Sequence, residues 1–158
     1  MTKKQFRLIF AILLLFMQIV INRSLNEYNI NIDFLFLILV FVSFRDNFIR
    51  TIIVATIIGW ITDVLSSNVL GVYGFSRVVI AFLLFEIVKY IDFKKLSFTF
   101  IIVFSSLSIS NLIANIFFLF IYNYSFSVSL LVFQPLLTSL LAVLLITSGK
   151  LQKTLNVY

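Results

Sequence analysis

The stretch from Leu96 to Tyr122 contains no charged residue, and it constrains the fold more than any other part of the sequence. A helix needs about 20 apolar residues to cross the hydrocarbon core of a bilayer, and this stretch is longer. Hydrophobic residues make up 62% of the chain and charged residues 11%, whereas soluble domains carry about 25% charged residues. This composition excludes a soluble globular protein and a disordered chain. We therefore expect an all-α, polytopic membrane protein.

Six apolar blocks predict six transmembrane helices within a single integral membrane domain, residues 1–158. The second and third blocks are short, so each either crosses the bilayer fully or forms a tilted or re-entrant segment. The expected spans are approximately residues 6–22, 30–44, 48–62, 70–89, 97–122 and 127–148.

The basic residues predict the orientation of these spans. With the N-terminus in the cytoplasm, all of the 12 Lys and Arg residues except Arg23 and Arg77 fall in cytoplasmic segments. Short cytoplasmic loops are expected to carry this excess. We therefore predict a multi-pass protein with both termini in the cytoplasm. The net charge of +6 reflects this topology, and nucleic acid is not an expected partner.

Several kinds of chemistry lack the residues that they need. The chain has no Cys and no His, which excludes disulfides, thiolate zinc sites and a Ser-His-Asp triad. No phosphate-binding loop and no cluster of metal-ligating residues occurs in the sequence. We therefore predict no catalytic residue, no metal site and no cofactor.

Three of the 4 glycines, Gly59, Gly71 and Gly74, lie between the third and fourth blocks, together with Asp63 and Tyr73. Glycine permits tight turns and close helix approach, and Asp, Asn and Ser cap helix ends. Asp63 closely follows an apolar run, which places it at or just below the membrane interface. A carboxylate at that depth indicates a ligand or proton site, whereas the turn residues around it indicate a capping role. Both interpretations remain open.

Arg77 follows this turn and falls within the expected fourth span. An arginine at that depth needs an acidic partner, a polar cavity or a route to the head groups. Asp63 is the nearest acidic candidate on the same side, so one hypothesis is an Asp63–Arg77 pair that closes the turn onto span four. The alternative is that Arg77 snorkels to the outer head groups.

Polar side chains form a stripe along the fifth span. Ser105, Ser108, Asn111 and Asn115 follow one another at helical spacing and therefore share one helix face. This stripe either bonds to a neighbouring helix or lines a polar cavity. In span six, Pro135 predicts a kink and a freed carbonyl group that needs another donor.

The segment from Gly59 to Phe75 resembles the rod shape-determining protein MreD family. In that family a glycine precedes an apolar-x-Asp step, and a Leu-Gly-aromatic step follows several residues later. The residues that fit this pattern are Gly59, Asp63, Leu65, Gly71 and Tyr73.

The resemblance implies a non-enzymatic subunit of the cell-wall elongation complex in the bacterial inner (plasma) membrane. The implied partner is an MreC-like protein, with MreB, RodA and a penicillin-binding transpeptidase nearby. The implied fold is similar to the six-helix substrate-binding subunits of energy-coupling-factor transporters. The structural or partner-binding candidates are Gly59, Asp63, Gly71, Tyr73, Gly74, Arg77, Asn111 and Asn115.

Two other functions remain open. The first is a small substrate-binding subunit of a membrane transporter, with a cavity near Asp63, Arg77, Asn111 and Asn115. The second is a membrane aspartyl protease, in which two carboxylates share one proton. Asp33 and Asp63 are the pair that this second alternative requires.

Overall fold

The structure is a computed structural model that describes residues 12–13, 15–23, 31–44, 47–66, 69–88, 96–122 and 129–147. These residues are helical apart from short turns and connections, and none of them forms a strand. The all-α class is therefore confirmed. Two helical stretches, Phe48–Leu65 and Leu96–Ile121, are long and apolar enough to cross a membrane. Six full crossings and the similarity to energy-coupling-factor subunits stay predictions.

Six α-helices account for most of the described residues. The first, α1, comprises residues 15–23. It is followed by α2 (Phe34–Ser43), α3 (Phe48–Leu65), α4 (Val72–Val88), α5 (Leu96–Tyr122) and α6 (Gln134–Thr147). A π-helical turn, Ser129–Phe133, leads directly into α6. The most extensive helix pairs are α3 with α4 and α5 with α6, and α4 also packs against α5.

The short helix α2 lies at the centre of the bundle. Its 10 residues would extend over about 15 Å at 1.5 Å per residue, about half of a bilayer core. Most of its side chains are buried, and Phe36, Leu37 and Leu39 are completely so. It packs against α3, α4 and α6. Helix α2 therefore contacts other helices rather than lipid along most of its length.

The face of α3 that points away from the other helices is strongly apolar. More than half of each of these side chains is exposed: Ile49, Ile53, Ile57, Trp60 and Val64. Their spacing of three or four residues places them on one face of the helix. A soluble monomer rarely exposes such a continuous apolar surface. The surface of the bundle thus matches the composition, and its natural surroundings are lipid or another transmembrane helix.

Candidate functional site

A buried ion pair joins α4 to the start of α2. The Nη2 group of Arg77 donates to Oδ2 of Asp33, and both side chains are almost completely buried. The other carboxylate oxygen of Asp33, Oδ1, accepts from the Phe36 N–H at 2.9 Å and caps α2. One carboxylate therefore neutralises a buried arginine and satisfies a helix N-terminus at the same time.

Two aromatic rings lie beside the Arg77 guanidinium. The Cζ atom is 5.5 Å from the centre of the Phe36 ring and 5.9 Å from the centre of the Tyr73 ring. Both distances fall within the range of a cation–π interaction. Arg77 is 0% exposed, so the expectation that it snorkels to the head groups is wrong. Its charge is held inside the bundle by Asp33 and the two rings.

Asp63 caps α4 and does not pair with Arg77. Its Oδ2 accepts from the N–H groups of Gly71 at 2.8 Å and Gly74 at 3.2 Å, and its Oδ1 accepts from Tyr73 N–H at 2.9 Å. These donors belong to the first turn of α4 and the residue before it, which lack partners within the helix. The hypothesis of an Asp63–Arg77 pair is wrong, because Arg77 pairs with Asp33 and the Asp63 carboxylate accepts from three amide donors. The capping interpretation of Asp63 is confirmed.

Gly59 and Gly74 are where α3 and α4 touch through their backbones. A Cβ atom on Gly59 would lie 2.7 Å from the Gly74 nitrogen and 2.8 Å from the Tyr73 carbonyl oxygen, which is too close for any side chain. Gly71 has a different role, since its φ of +103° lies in the region that favours glycine and a Cβ there would meet nothing. The sequence prediction of both close approach and a tight turn is therefore confirmed at separate glycines.

Two amide side chains of α1 hold the backbone that enters α2. Asn22 makes two bonds to Ile32, donating from Nδ2 to its carbonyl and accepting from its N–H, each at 3.0 Å. Gln18 Oε1 accepts from Phe34 N–H at 2.7 Å. Helix α1 thereby fixes the segment that carries Asp33, and so positions the partner of Arg77.

The sequence analysis did not predict a role for Gln18 or Asn22. Gln18 is the only polar residue in the first apolar block, which was a usable signal. Thr138 of α6 had no such signal, although its Oγ1 accepts from Asp33 N–H at 3.1 Å. Ser110 and Ser76 likewise join α5 to α4 through an Oγ–Oγ hydrogen bond of 3.3 Å. Their roles depend on which helices become neighbours.

Two members of the polar stripe on α5 bind the turn that precedes α6. Asn111 Nδ2 donates to the Leu130 carbonyl at 2.7 Å and to Gln134 Oε1 at 3.1 Å. Ser108 Oγ donates to the Leu131 carbonyl at 3.2 Å. The interhelical interpretation of this stripe is confirmed for both side chains.

Pro135 leaves one of these two carbonyl groups without a backbone donor. An N–H at position 135 would bond to Leu131 in an α-helix or to Leu130 in a π-helix, but proline has none. Side chains of α5 donate to both candidate carbonyls, Ser108 to Leu131 and Asn111 to Leu130. The predicted freed carbonyl is thus present, and α5 satisfies it.

The other two members of the stripe bond within α5. Asn115 Nδ2 donates to the Asn111 carbonyl at 2.9 Å, and the exposed Ser105 donates to the Ile102 carbonyl at 3.2 Å. Neither makes a side-chain bond to another helix among the contacts of the described residues. The stripe is therefore divided between helix pairing and bonds to its own backbone.

A small cavity between α4 and α5 holds about 60 Å³. Its walls are isoleucine and leucine side chains together with Ser105 and Ser106. Ligand pockets usually measure about 300–1,000 Å³. None of the four residues predicted to line a transport cavity borders this one, so it gives the transporter alternative no support.

Asp33 and Asp63 do not resemble a protease dyad. Asp33 binds Arg77 and Phe36, whereas Asp63 binds the amides at the start of α4. A dyad requires two carboxylates that share one proton, and these two are each engaged by other donors. Among the described residues, no three His, Cys, Asp or Glu side chains are grouped to hold a metal ion.

Comparison with known proteins identifies a protein family. The family model described as rod shape-determining protein MreD matches residues 3–148, which is nearly the whole chain. No curated protein and no solved structure matches the chain.

Proposed function

This chain belongs to the rod shape-determining protein MreD family, and we propose that it is a non-enzymatic membrane subunit of the bacterial cell-wall elongation complex. Family membership implies a role in determining rod shape. In the proposed role, the chain binds the single transmembrane helix of an MreC-like protein in the inner membrane. MreB, RodA and a penicillin-binding transpeptidase are the further members of the proposed assembly.

The observation that carries this proposal is the family match over residues 3–148. The use of the interior polar groups supports it. Asp63 binds amides of its own chain, and Asn111 binds the turn before α6. A subunit that binds a solute keeps polar groups free to contact it. Side chains that are already bonded within the chain instead suit a rigid scaffold.

The apolar surface supports binding within the bilayer. Helix association in lipid depends on close packing and a few polar contacts, because lipid is as apolar as the helix surface. The outer faces of α3, α5 and α6 offer apolar side chains such as Ile57, Leu112 and Leu140. A single transmembrane helix of the partner would pack against one of these faces.

Site-specific photocrosslinking in native membranes tests the proposal. A photoreactive amino acid is placed in turn at Ile57, Leu112 and Leu140, and at the buried Leu107 as the matched control. The tagged chain is then purified in mild detergent, and crosslinked proteins are identified by mass spectrometry. We expect an MreC-like single-span protein to be crosslinked from one outer face and not from Leu107.

Two results would contradict the proposal. One is recovery of an ATPase module in the absence of any shape protein, which would favour the transporter alternative. The other is normal rod shape in cells depleted of this chain. Loss of rod shape that the wild-type chain restores is the expected result.

A further inference from the structure

The Arg77 guanidinium has more donors than its described partners use. Arginine carries five N–H donors, and Asp33 accepts from Nη2 alone. The Nε and Nη1 groups are buried and have no hydrogen-bond partner among the residues that the structure describes. A buried donor without an acceptor loses the full hydration that it had in water, so such groups are rare in folded proteins.

The neighbouring side chains that the structure describes offer no oxygen or nitrogen acceptor to the Nε and Nη1 groups of Arg77. Asp33 does not form a two-fold pairing, because only its Oδ2 contacts the guanidinium while its Oδ1 accepts from Phe36 N–H. The rings of Phe36 and Tyr73 offer only a cation–π contact to the guanidinium. The Nε–H and Nη1–H bonds of a planar guanidinium diverge, so one acceptor atom cannot serve both.

The acceptor that fits this site is neutral. Asp33 already balances the charge of Arg77, and the Asp63 carboxylate lies at the start of the same helix. A further anion would add an uncompensated negative charge inside the bundle, which is unfavourable at low dielectric. Water is small and neutral, and it can accept from the guanidinium while donating to nearby carbonyl or hydroxyl groups.

We propose that Arg77 binds at least two ordered internal water molecules, one at Nε and one at Nη1. The buried ion pair is then the anchor of a small hydrated site inside an apolar bundle. This hydration supplies the hydrogen bonds that Asp33 does not, and it explains how a fully buried arginine is tolerated beside α2.

Water-transfer NMR on the full chain in bilayers tests the proposal. A variant in which Arg7, Arg23, Arg45 and Arg50 are replaced by Lys keeps the net charge and leaves Arg77 as the only arginine. Magnetisation is transferred from water to the ¹⁵N-labelled arginine side chain. Two asparagines serve as matched controls, because Asn47 is exposed and the Nδ2 group of Asn111 is bonded within the protein.

We expect the Nε and Nη1 signals of Arg77 to receive water magnetisation several-fold above the Asn111 signal, toward the level of Asn47. Arg77 signals at the Asn111 level would overturn the proposal. Transfer from a protein carbonyl instead of water would also overturn it, since the acceptor would then belong to the chain. If the variant does not fold, selective labelling of wild-type arginine with assignment by Arg77→Lys gives the same readout.

Discussion

Arg77 and Asp33 form an ion pair across 44 positions of the sequence, and the pair links α4 to the residue that caps α2. Arg77 is 0% and Asp33 1% exposed. A buried ion pair adds little net stability compared with apolar residues of the same size, whereas removal of one partner leaves a buried charge unpaired. The pair should therefore behave as a unit in mutagenesis.

Replacement of one partner should be more harmful than replacement of both. We expect Arg77→Met to lower the free energy of unfolding by about 3–5 kcal/mol, because Asp33 is left as an unpaired buried carboxylate. Asp33→Asn keeps a capping side chain for α2 and removes only the charge. The double variant, Arg77→Met with Asp33→Asn, should recover part of the free energy of unfolding that Arg77→Met loses. Chemical unfolding in detergent micelles measures this difference.

Asp63→Asn provides the control for this comparison of single and double variants. Because Asp63 binds amides of α4 and not the guanidinium, its coupling to Arg77→Met should be clearly smaller than that of Asp33→Asn. Equal coupling energies for the two aspartates would contradict the observed pairing.

The Asp63 carboxylate should protect the first turn of α4. Asn has one acceptor oxygen in place of two, and its amide group would face the N–H donors that it has to bind. We expect Asp63→Asn to destabilise the protein by about 1–3 kcal/mol and to speed hydrogen exchange at Gly71, Tyr73 and Gly74.

Ser66→Ala is a suitable comparison for this variant. Ser66 follows α3, is exposed, and bonds only to backbone carbonyls of its own helix. Its replacement should change stability by less than about 0.5 kcal/mol. Unchanged exchange at the three amides in Asp63→Asn would show that the carboxylate does not cap α4.

Gly59→Ala should separate α3 from α4. The added Cβ would overlap the backbone of Gly74, and forced overpacking typically destabilises by about 1–3 kcal/mol. Gly71→Ala should destabilise by about 1–2 kcal/mol through its positive φ, without moving the helices.

A distance measurement distinguishes these two glycine variants. Because the chain has no Cys, two cysteines can be introduced at the exposed positions Ile57 and Phe82, and each carries one spin label. Electron spin resonance should show a longer α3–α4 distance in Gly59→Ala than in Gly71→Ala. The same distance in both variants would contradict a backbone contact at Gly59.

Pro135→Ala should make Asn111 less important. Asn111→Leu removes both bonds to the turn before α6, and we expect a loss of about 1–3 kcal/mol. In the Pro135→Ala background, the new N–H can donate to the Leu130 or Leu131 carbonyl, so the same replacement should cost less. Thermal unfolding is compared for the wild type, Asn111→Leu, Pro135→Ala and the variant that carries both replacements.

The exposed Ser105 provides the control for this experiment. It lies on the same helix as Asn111 but bonds only to the backbone of α5. Ser105→Ala should change stability by less than about 0.5 kcal/mol in both backgrounds. An equal loss from Asn111→Leu with and without Pro135 would argue against the replacement of a missing N–H.

Some parts of the site followed from local sequence. Gly59, Asp63, Gly71 and Gly74 lie within one short segment, so turn chemistry and close helix approach were both visible there. The polar stripe on α5 followed from helical spacing. These inferences succeeded because the chemistry involved residues close together in the chain.

The partner of Arg77 did not follow from local sequence. Asp63 was the nearer acidic residue, but its oxygens are taken by amides that only the folded turn brings within reach. Asp33 is distant in sequence and reaches Arg77 because Gln18 and other side chains hold the segment before α2 in place. Competition between donors for one carboxylate is decided by geometry.

The sequence by itself determined that this chain is helical and apolar, and that it belongs to the family whose model matches residues 3–148. These properties depend on composition and on short-range spacing. Only the tertiary structure decided which polar groups meet: Arg77 with Asp33, Asp63 with the start of α4, and Asn111 with the turn before Pro135. The physical reason is that these polar groups bond to the partners that packing places within about 3 Å, whatever their separation along the chain.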